Sequence, residues 1–371
     1  MVHFARALVA PAVGGPLEFR DVLLDTVRPD EALIEIHAVG ICHADISCLN
    51  GKLPVKFPIV FGHEGSGMVK EVGSQLEGIL PGDMVLMSFN SCGNCTTCKR
   101  ETPAYCLNML PLNFGGTRLD QSHTMRCADG APLYSNFFGQ SSFSNLAIVN
   151  KRCLVRVSKE TPLSLFAPLG CGLQTGAGAI LNTLNMQSGA SVAVFGTGSV
   201  GMAAIMAAKI RKANIIIGVD IDEGRLEIAR SIGATHCLNG SDSDIADQIR
   251  VICGGDGVNY AVDCTGVGAI IERMIDSLGT LGKAATIGAP APGTKVSVDV
   301  LSQLTKGRQY IGCNQGDSIP QQMIPYLIEQ HSQGNFPIEK IVQTYSIEDF
   351  AVALEDMKSG KVIKPVLIWR C

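Results

Sequence analysis

The sequence predicts an α/β protein in two parts, a doubly wound parallel sheet joined to a β-rich domain. After residue 172 six short apolar runs occur: SVAVF (191–195), IIIGVD (215–220), THCLN (235–239), YAVDC (260–264), AATIG (284–288) and QYIGC (309–313). Helical patterns such as SVGMAAIMAAKIRK and EGRLEIARSIG separate several of them. Apolar strands alternating with helices mark a parallel sheet covered on both faces, and six strands complete a doubly wound unit. Before residue 170 the texture differs. Short Val- and Ile-rich runs punctuated by glycine, such as ALIEIHAVG, PIVFGHEGSGMVKEVG and GDMVLM, predict a mostly antiparallel β-domain with few helices. The third observation is Gly196-Thr197-Gly198-Ser199-Val200-Gly201, which follows the first strand and opens a helix.

A chain of 371 residues is too long for one small core, so two domains are expected, at 1–171 and 172–312. Beyond them, MIPYLIEQHSQG and IEDFAVALEDMKSG read as amphipathic helices and VIKPVLIW as a last strand. That tail is too short to stand alone, so 313–371 is expected to rejoin the first domain. Hydrophobic residues make up 46% and charged ones 17%, the balance of a compact fold. A formal charge of -4 with no basic run gives no electrostatic case for nucleic acid or an anionic membrane. The opening MVHFARALVAPAV has neither a long apolar core nor a cleavage signature, and no run of about 18 apolar residues exists to span a bilayer. The expectation is a cytoplasmic protein without nucleic-acid or membrane partners.

The glycine motif has the context that gives it meaning. A strand precedes it, a helix follows, and Asp220 ends the next strand about 20 residues on. The glycines let the backbone approach a pyrophosphate at the helix N-terminus, where unpaired N–H groups point outward. Asp220 would accept from the adenosine ribose hydroxyls and repel a 2′-phosphate, which favours NAD over NADP.

Fourteen cysteines are many for a chain with no mark of secretion, and clustered ones then read as metal ligands rather than disulfides. Cys92, Cys95, Cys98 and Cys106 follow C-x2-C-x2-C-x7-C, and four thiolates so close can enclose one tetrahedral Zn²⁺ with no open position. An iron–sulfur cluster or a nucleic-acid zinc ribbon would use similar spacing, but nothing strongly basic surrounds this one. A second set is dispersed: Cys42 in GICHADIS, His63 in FGHEGSG and Cys171 in PLGCGLQTG. Two thiolates and one imidazole suit a catalytic zinc, which keeps a fourth position open. Each alone has a plainer reading, as a small buried residue or a satisfied core histidine.

GICHAD, GHEGSGMVKEVG, the four-cysteine loop, GCGLQTG and FGTGSVG stand in the order found in zinc-containing medium-chain alcohol dehydrogenases. Together they span essentially the whole chain. FFGQSSFSNLAIV, GDSIPQQMIP and MKSGKVIKPVLIW are most similar to the aryl (benzyl) alcohol dehydrogenase branch. The resemblance implies a GroES-like catalytic domain formed from both ends of the chain, a Rossmann domain, and a catalytic cleft between them. It implies two zinc ions per chain, with Cys42, His63 and Cys171 holding the catalytic one and the four-cysteine loop the structural one. Glu64 would lie just outside that shell, with Asp45 orienting His63. His43 and Lys364 match positions at the cofactor pyrophosphate, and Arg225 one bordering the adenosine ribose. The implied reaction passes hydride between the carbinol carbon of a primary aromatic or allylic alcohol and the nicotinamide C4 of NAD, the aldehyde being reduced in reverse. A homodimer or homotetramer is expected.

One residue departs from the pattern. Where the family carries Ser or Thr to pass the alcohol proton outward, this chain has Ala44, and its later relay histidine is replaced by Ser47. Zinc lowers the pKa of bound water from about 15.7 to about 7, worth ~12 kcal/mol. General acid–base help is worth about 3–5 kcal/mol. The metal contribution is larger, so hydride transfer is expected to survive, with the proton leaving through water, His43 or Ser47. Plant members lacking the hydroxyl give a competing reading, NADH-dependent reduction of an enone or iminium group. A non-catalytic zinc protein is a third, against which the intact trio and glycine motif argue.

Overall fold

The computed structural model describes residues 3–369, which divide into two units. The first holds residues up to 171 together with 319–325 and the chain from 342 on; the second holds 172–318 and 326–341. The whole tail from 313 was expected to return to the first domain, and here the structure corrects the reading. Segment 326–341 keeps with the second unit because its apolar side chains Leu327, Phe336 and Ile338 are fully buried and Lys340 Nζ donates to the Ser231 carbonyl of that unit at 2.8 Å.

The first unit is built on two sheets. In the larger one the order is Leu154–Val157, Met84–Met87, Gly65–Val72, Glu31–Gly40, Lys364–Ile368 and Val342–Ser346, with Leu146–Asn150 also on Glu31–Gly40. The central strand EALIEIHAVG is almost continuously buried, so both its faces lie in the core. The last strand pairs antiparallel with it, Val366 opposite Gly40 and Ile368 opposite Ala38. This pairing carries Lys364 to residues from the beginning of the chain. The smaller sheet runs Ile59–Val60, Phe4–Ala10, Glu18–Leu24, Met125–Cys127 and Pro132–Leu133. Phe61, Phe137 and Phe143 fill the core beneath, each worth about 1.5–3 kcal/mol of apolar burial.

In the second unit all six predicted strands form, as Ser191–Phe195, Ile215–Asp220, His236–Asn239, Val258–Asp263, Leu278–Thr286 and Gln309–Gly312. They are parallel, and their order across the sheet is third, second, first, fourth, fifth, sixth. That is the doubly wound order, whose direction reverses beside the first strand, where such sheets bind their ligands. The fifth strand starts at Leu278, earlier than AATIG suggests, because the glycines of LGTLG read as a turn although Leu278 and Gly279 are buried strand residues. Helices Ser199–Ile210 and Glu223–Ile232 follow the first two strands, the second capped by Asp222, which accepts from Arg225 N at 3.0 Å. Among the described residues no single helix is long and apolar enough to cross a membrane.

A buried ion pair ties the loop after the four cysteines to the central sheet. Arg118 Nε and Nη2 donate to the two oxygens of Glu31 at 2.5 and 2.9 Å, and Nη1 donates to Asp25 at 2.8 Å. Glu31 and Arg118 are both buried, so neither charge has water to fall back on. Arg118→Ala strands the Glu31 carboxylate and is expected to cost about 3–5 kcal/mol, read from the urea unfolding midpoint. Adding Glu31→Leu removes the stranded charge and should recover part of that loss.

Candidate active site

Among the described residues two groups of side chains converge closely enough to hold a metal ion. Cys92, Cys95, Cys98 and Cys106 form one; Cys42, His63, Glu64 and Cys171 form the other. In each, the ligand atoms lie within 4.8 Å of one another.

The four-cysteine group is local. Cys92 Sγ lies 4.0 Å from Cys98 Sγ, and Cys95 Sγ 4.0 Å from Cys106 Sγ. A tetrahedron with metal–sulfur bonds of about 2.3 Å has edges of about 3.8 Å, so the pocket is the size of a zinc tetrathiolate. Backbone N–H groups of Cys92 and Asn108 donate to Cys106 Sγ at 3.2 and 3.4 Å. The Thr97 hydroxyl and the Cys98 N–H hold the Cys95 thiol down, to about 5.

The dispersed group assembles from three places. Cys42 caps the short helix His43–Leu49 in extended conformation, His63 follows the two-residue strand Ile59–Val60, and Cys171 follows the turn Ala167–Gly170. Asp45, on the first turn of the helix, joins two of them. Its Oδ2 accepts from Cys42 N at 3.1 Å, and its Oδ1 accepts from Gly62 N and His63 Nδ1, both at 3.0 Å. Helix cap and imidazole anchor are thus one carboxylate. Because Nδ1 carries the proton toward Asp45, Nε2 presents its lone pair to the cluster. That atom is buried with no hydrogen-bond partner, an uncommon condition that a metal bond satisfies. Gly62 stands at φ +89, and a Cβ there would meet the Phe143 nitrogen at 2.5 Å, so the approach to His63 requires glycine. Phe138 stacks on the His63 ring, centroids 4.3 Å apart and planes 22° apart.

Charges in this pocket set one another. The Cys171 thiol hydrogen-bonds Cys42 and, with His63 and Lys364 nearby, holds the Cys42 thiol well below its ordinary value, while Cys171 itself is pushed well above. Burial pulls the His63 imidazole down, but Asp45 and Cys42 outweigh it and hold it well above its usual range. Burial pushes the Glu64 carboxyl up to about 7 against the opposing pull of Lys364. Two thiol ligands, one of them readily ionised, and an orphaned imidazole nitrogen fit zinc.

Lys364 was expected at the cofactor pyrophosphate. Its ammonium donates to Glu64 Oε1 at 2.8 Å and to the Ile41 carbonyl at 3.0 Å, with Glu64 Oε2 at 2.6 Å. A carboxylate buried beside two thiols needs a counter-charge, and Lys364 supplies it. His43 is exposed at the start of its helix, and Ala44 and Ser47 are half-buried along it.

In the second unit Gly196 turns at φ +88 and Gly198 caps helix Ser199–Ile210. A Cβ on Gly201 would lie 1.9 Å from the Gly196 carbonyl, so helix and turn pack this closely only with glycine. Asp220 is buried, and its oxygens accept from Thr197 N and Oγ1 at 2.6 and 3.0 Å and from Ile221 N and Asp222 N at 2.8 and 3.1 Å. Sequence reasoning did not foresee Thr197 as the residue locking this carboxylate against the glycine turn. It also passed over Gln140, whose setting in FFGQSSF carries no motif. Arg225 is half-buried, with its Nε lacking a partner.

Residues 28–159 match the alcohol dehydrogenase GroES-like domain, and residues 199–332 match the zinc-binding dehydrogenase family. The chain is 40% identical to geraniol dehydrogenase of Castellaniella defragrans over 98% of both chains. A crystal structure of an alcohol dehydrogenase zinc-binding domain protein from Burkholderia ambifaria superimposes with a TM-score of 0.97 at 42% identity, covering 99% of each chain. Benzyl alcohol dehydrogenase of Acinetobacter calcoaceticus superimposes with a TM-score of 0.95 at 37% identity, again covering 99% of each. The chain therefore belongs to the zinc-dependent medium-chain alcohol dehydrogenase family, whose members are enzymes.

The closed thiolate site should serve the fold rather than the reaction. Cys98→Ala is expected to release one zinc per chain and lower the melting temperature by several degrees. Metal analysis and calorimetry check this; a variant with unaltered metal content and melting would remove the assignment.

Proposed function

We propose that the protein is an NAD-dependent dehydrogenase of primary aromatic or allylic alcohols, running in reverse as an aldehyde reductase, with Cys42, His63 and Cys171 as catalytic zinc ligands. The observation that carries this reading is the dispersed cluster, with His63 Nε2 buried and unpaired beside two thiols. The similar proteins supply the substrate class. Geraniol is an allylic primary alcohol and benzyl alcohol an aromatic one. In both, the carbinol carbon adjoins a π-system, so oxidation yields a conjugated aldehyde.

Cys42, His63 and Cys171 would hold a zinc supplying Lewis-acid polarisation, and the turn Gly196–Gly201 would hold a nicotinamide cofactor supplying hydride chemistry. This chain's own residues do the rest. Asp45 fixes the His63 tautomer, and Lys364 neutralises Glu64 beside the ligands. The turn Gly196–Gly201 supports the pyrophosphate at a helix N-terminus. Asp220, held in place by Thr197, disfavours a 2′-phosphate by like-charge repulsion, which supports NAD. Arg225, with its partnerless Nε, fits the border of the ribose. His43 and Ser47 stand one turn apart on one helix face and offer the proton a way out past Ala44.

The open edge of the parallel sheet supports a homo-oligomer. Strand Gln309–Gly312 is exposed along its length, and Val300, Leu301 and Leu304 are exposed apolar residues on the helix just before it. Edge strands of this kind pair readily with their own copy about a two-fold axis.

Cys171→Ala is expected to retain the fold, lose close to one zinc per chain and lose most turnover of benzyl alcohol and geraniol with NAD. Wild-type efficiency with NADP equal to that with NAD would contradict the Asp220 reading. Ala44→Ser and Ala44→Thr restore a hydroxyl at the start of the proton path. Without that hydroxyl, oxidation is expected to rise with pH as hydroxide takes up the proton; the variants are expected to speed it near neutral pH by up to ~10²-fold and to flatten that rise. If neither gains on any alcohol while wild type readily reduces an enone or iminium compound, alcohol chemistry is the wrong assignment.

A further inference from the structure

We infer that Gln140 is a positioning residue that sets the spacing between the His63 and Cys171 ligands, an inference resting on the reading of Cys42, His63 and Cys171 as zinc ligands. Gln140 is fully buried just after the turn Phe137–Gly139. Its Nε2 donates to the His63 carbonyl at 2.9 Å and to the Ser88 carbonyl at 3.1 Å. Its Oε1 accepts from Gly65 N and from Ser142 Oγ, both at 3.1 Å. Both N–H groups and both lone pairs are used, so the amide has one orientation and no slack.

The place of these bonds explains what they do. Strands Gly65–Val72 and Met84–Met87 pair from Met68 opposite Met84 to Ser66 opposite Leu86, and there the ladder ends. Beyond it, His63, Gly65 and Ser88 still carry backbone groups that need partners, and the Gln140 amide supplies them in place of the missing rungs. Ser88 continues the path, its hydroxyl donating to the carbonyl of Gly170, the residue before Cys171, at 2.7 Å. His63, Gln140, Ser88 and Gly170 thus form a line of short buried bonds between two ligands distant in sequence. Asp45 fixes the His63 ring but makes none of these backbone bonds. Gln140 and Ser88 hold the backbone under the ring at a set distance from the backbone under the Cys171 thiol.

The test measures metal rather than turnover, with the four-cysteine zinc as internal control. Gln140→Met keeps the length and removes all four bonds. It is expected to keep the tetrathiolate zinc and lose affinity at the other site by roughly 10- to 100-fold, with a changed visible spectrum when cobalt replaces that zinc. Gln140→Glu keeps the acceptors but, ionised, cannot donate to His63 and Ser88, and should weaken the same site. Ser88→Ala cuts only the link to Gly170 and should give a smaller loss in the same direction. Ser142→Ala removes one of the four bonds that hold the amide but leaves both donations to His63 and Ser88, and should give a loss far smaller than Gln140→Met. Unchanged affinity and cobalt spectrum in Gln140→Met and Ser88→Ala would overturn the inference, as would parallel loss of both metals with the fold. A wild-type protein whose only bound zinc survives Cys171→Ala would instead overturn the reading of the site itself.

Discussion

The Asp45 carboxylate accepts three hydrogen bonds where almost no water reaches it, from Cys42 N, Gly62 N and His63 Nδ1. A buried carboxylate is costly unless its lone pairs are filled, and filling them here joins a helix start, a glycine turn and an imidazole. Each partner belongs to the candidate metal centre. The bond to Cys42 N orients the residue bearing one thiol. The bond to Gly62 N holds the turn before the histidine, and the bond to Nδ1 turns Nε2 inward. Removing the carboxylate would leave three donors unsatisfied and a ring free to rotate or change tautomer. The geometry of the cluster therefore follows from one anion's need for donors.

The Lys364–Glu64 pair answers the same need at the other side of the site. Glu64 is completely buried next to two thiols, and without a cation its carboxyl would stay protonated. The cation comes from the last strand, whose pairing with Glu31–Gly40 runs antiparallel so that Lys364 arrives beside Ile41. The chain's end is part of the site for electrostatic reasons as well as for packing.

Much of this was legible in the sequence, and the exceptions have a common physical cause. The six strands of the second unit and the helices after the first two follow from local apolar periodicity, which a linear reading can see. Gly196, Gly198 and Gly201 are legible because backbone geometry at a turn permits few substitutes. Asp45 was legible only through resemblance, since a carboxylate three residues after a cysteine is equally a helix cap, and it proves to be both. Gln140 and Thr197 were not legible. Their importance lies in which backbone groups the fold leaves unpaired nearby, and that is decided by where two strands stop pairing or where a turn meets the next strand.

The two cysteine sites show the same division in energetic terms. Cys92 to Cys106 close a short loop, whose closure entropy is small and whose ligands are neighbours in any compact conformation. Spacing alone therefore identifies that site, and it can order its own lobe before the sheets are complete. Cys42, His63 and Cys171 meet only when the central strand, the glycine turn at 62 and the turn before 171 are all in place. No metal can gather them from an open chain at comparable cost. The fold must position them first, through Asp45 on one side and the Gln140–Ser88 line on the other. A site assembled that way need not be saturated by protein ligands, and on the proposed reading three donors held by a finished scaffold would leave a fourth position open to a substrate oxygen.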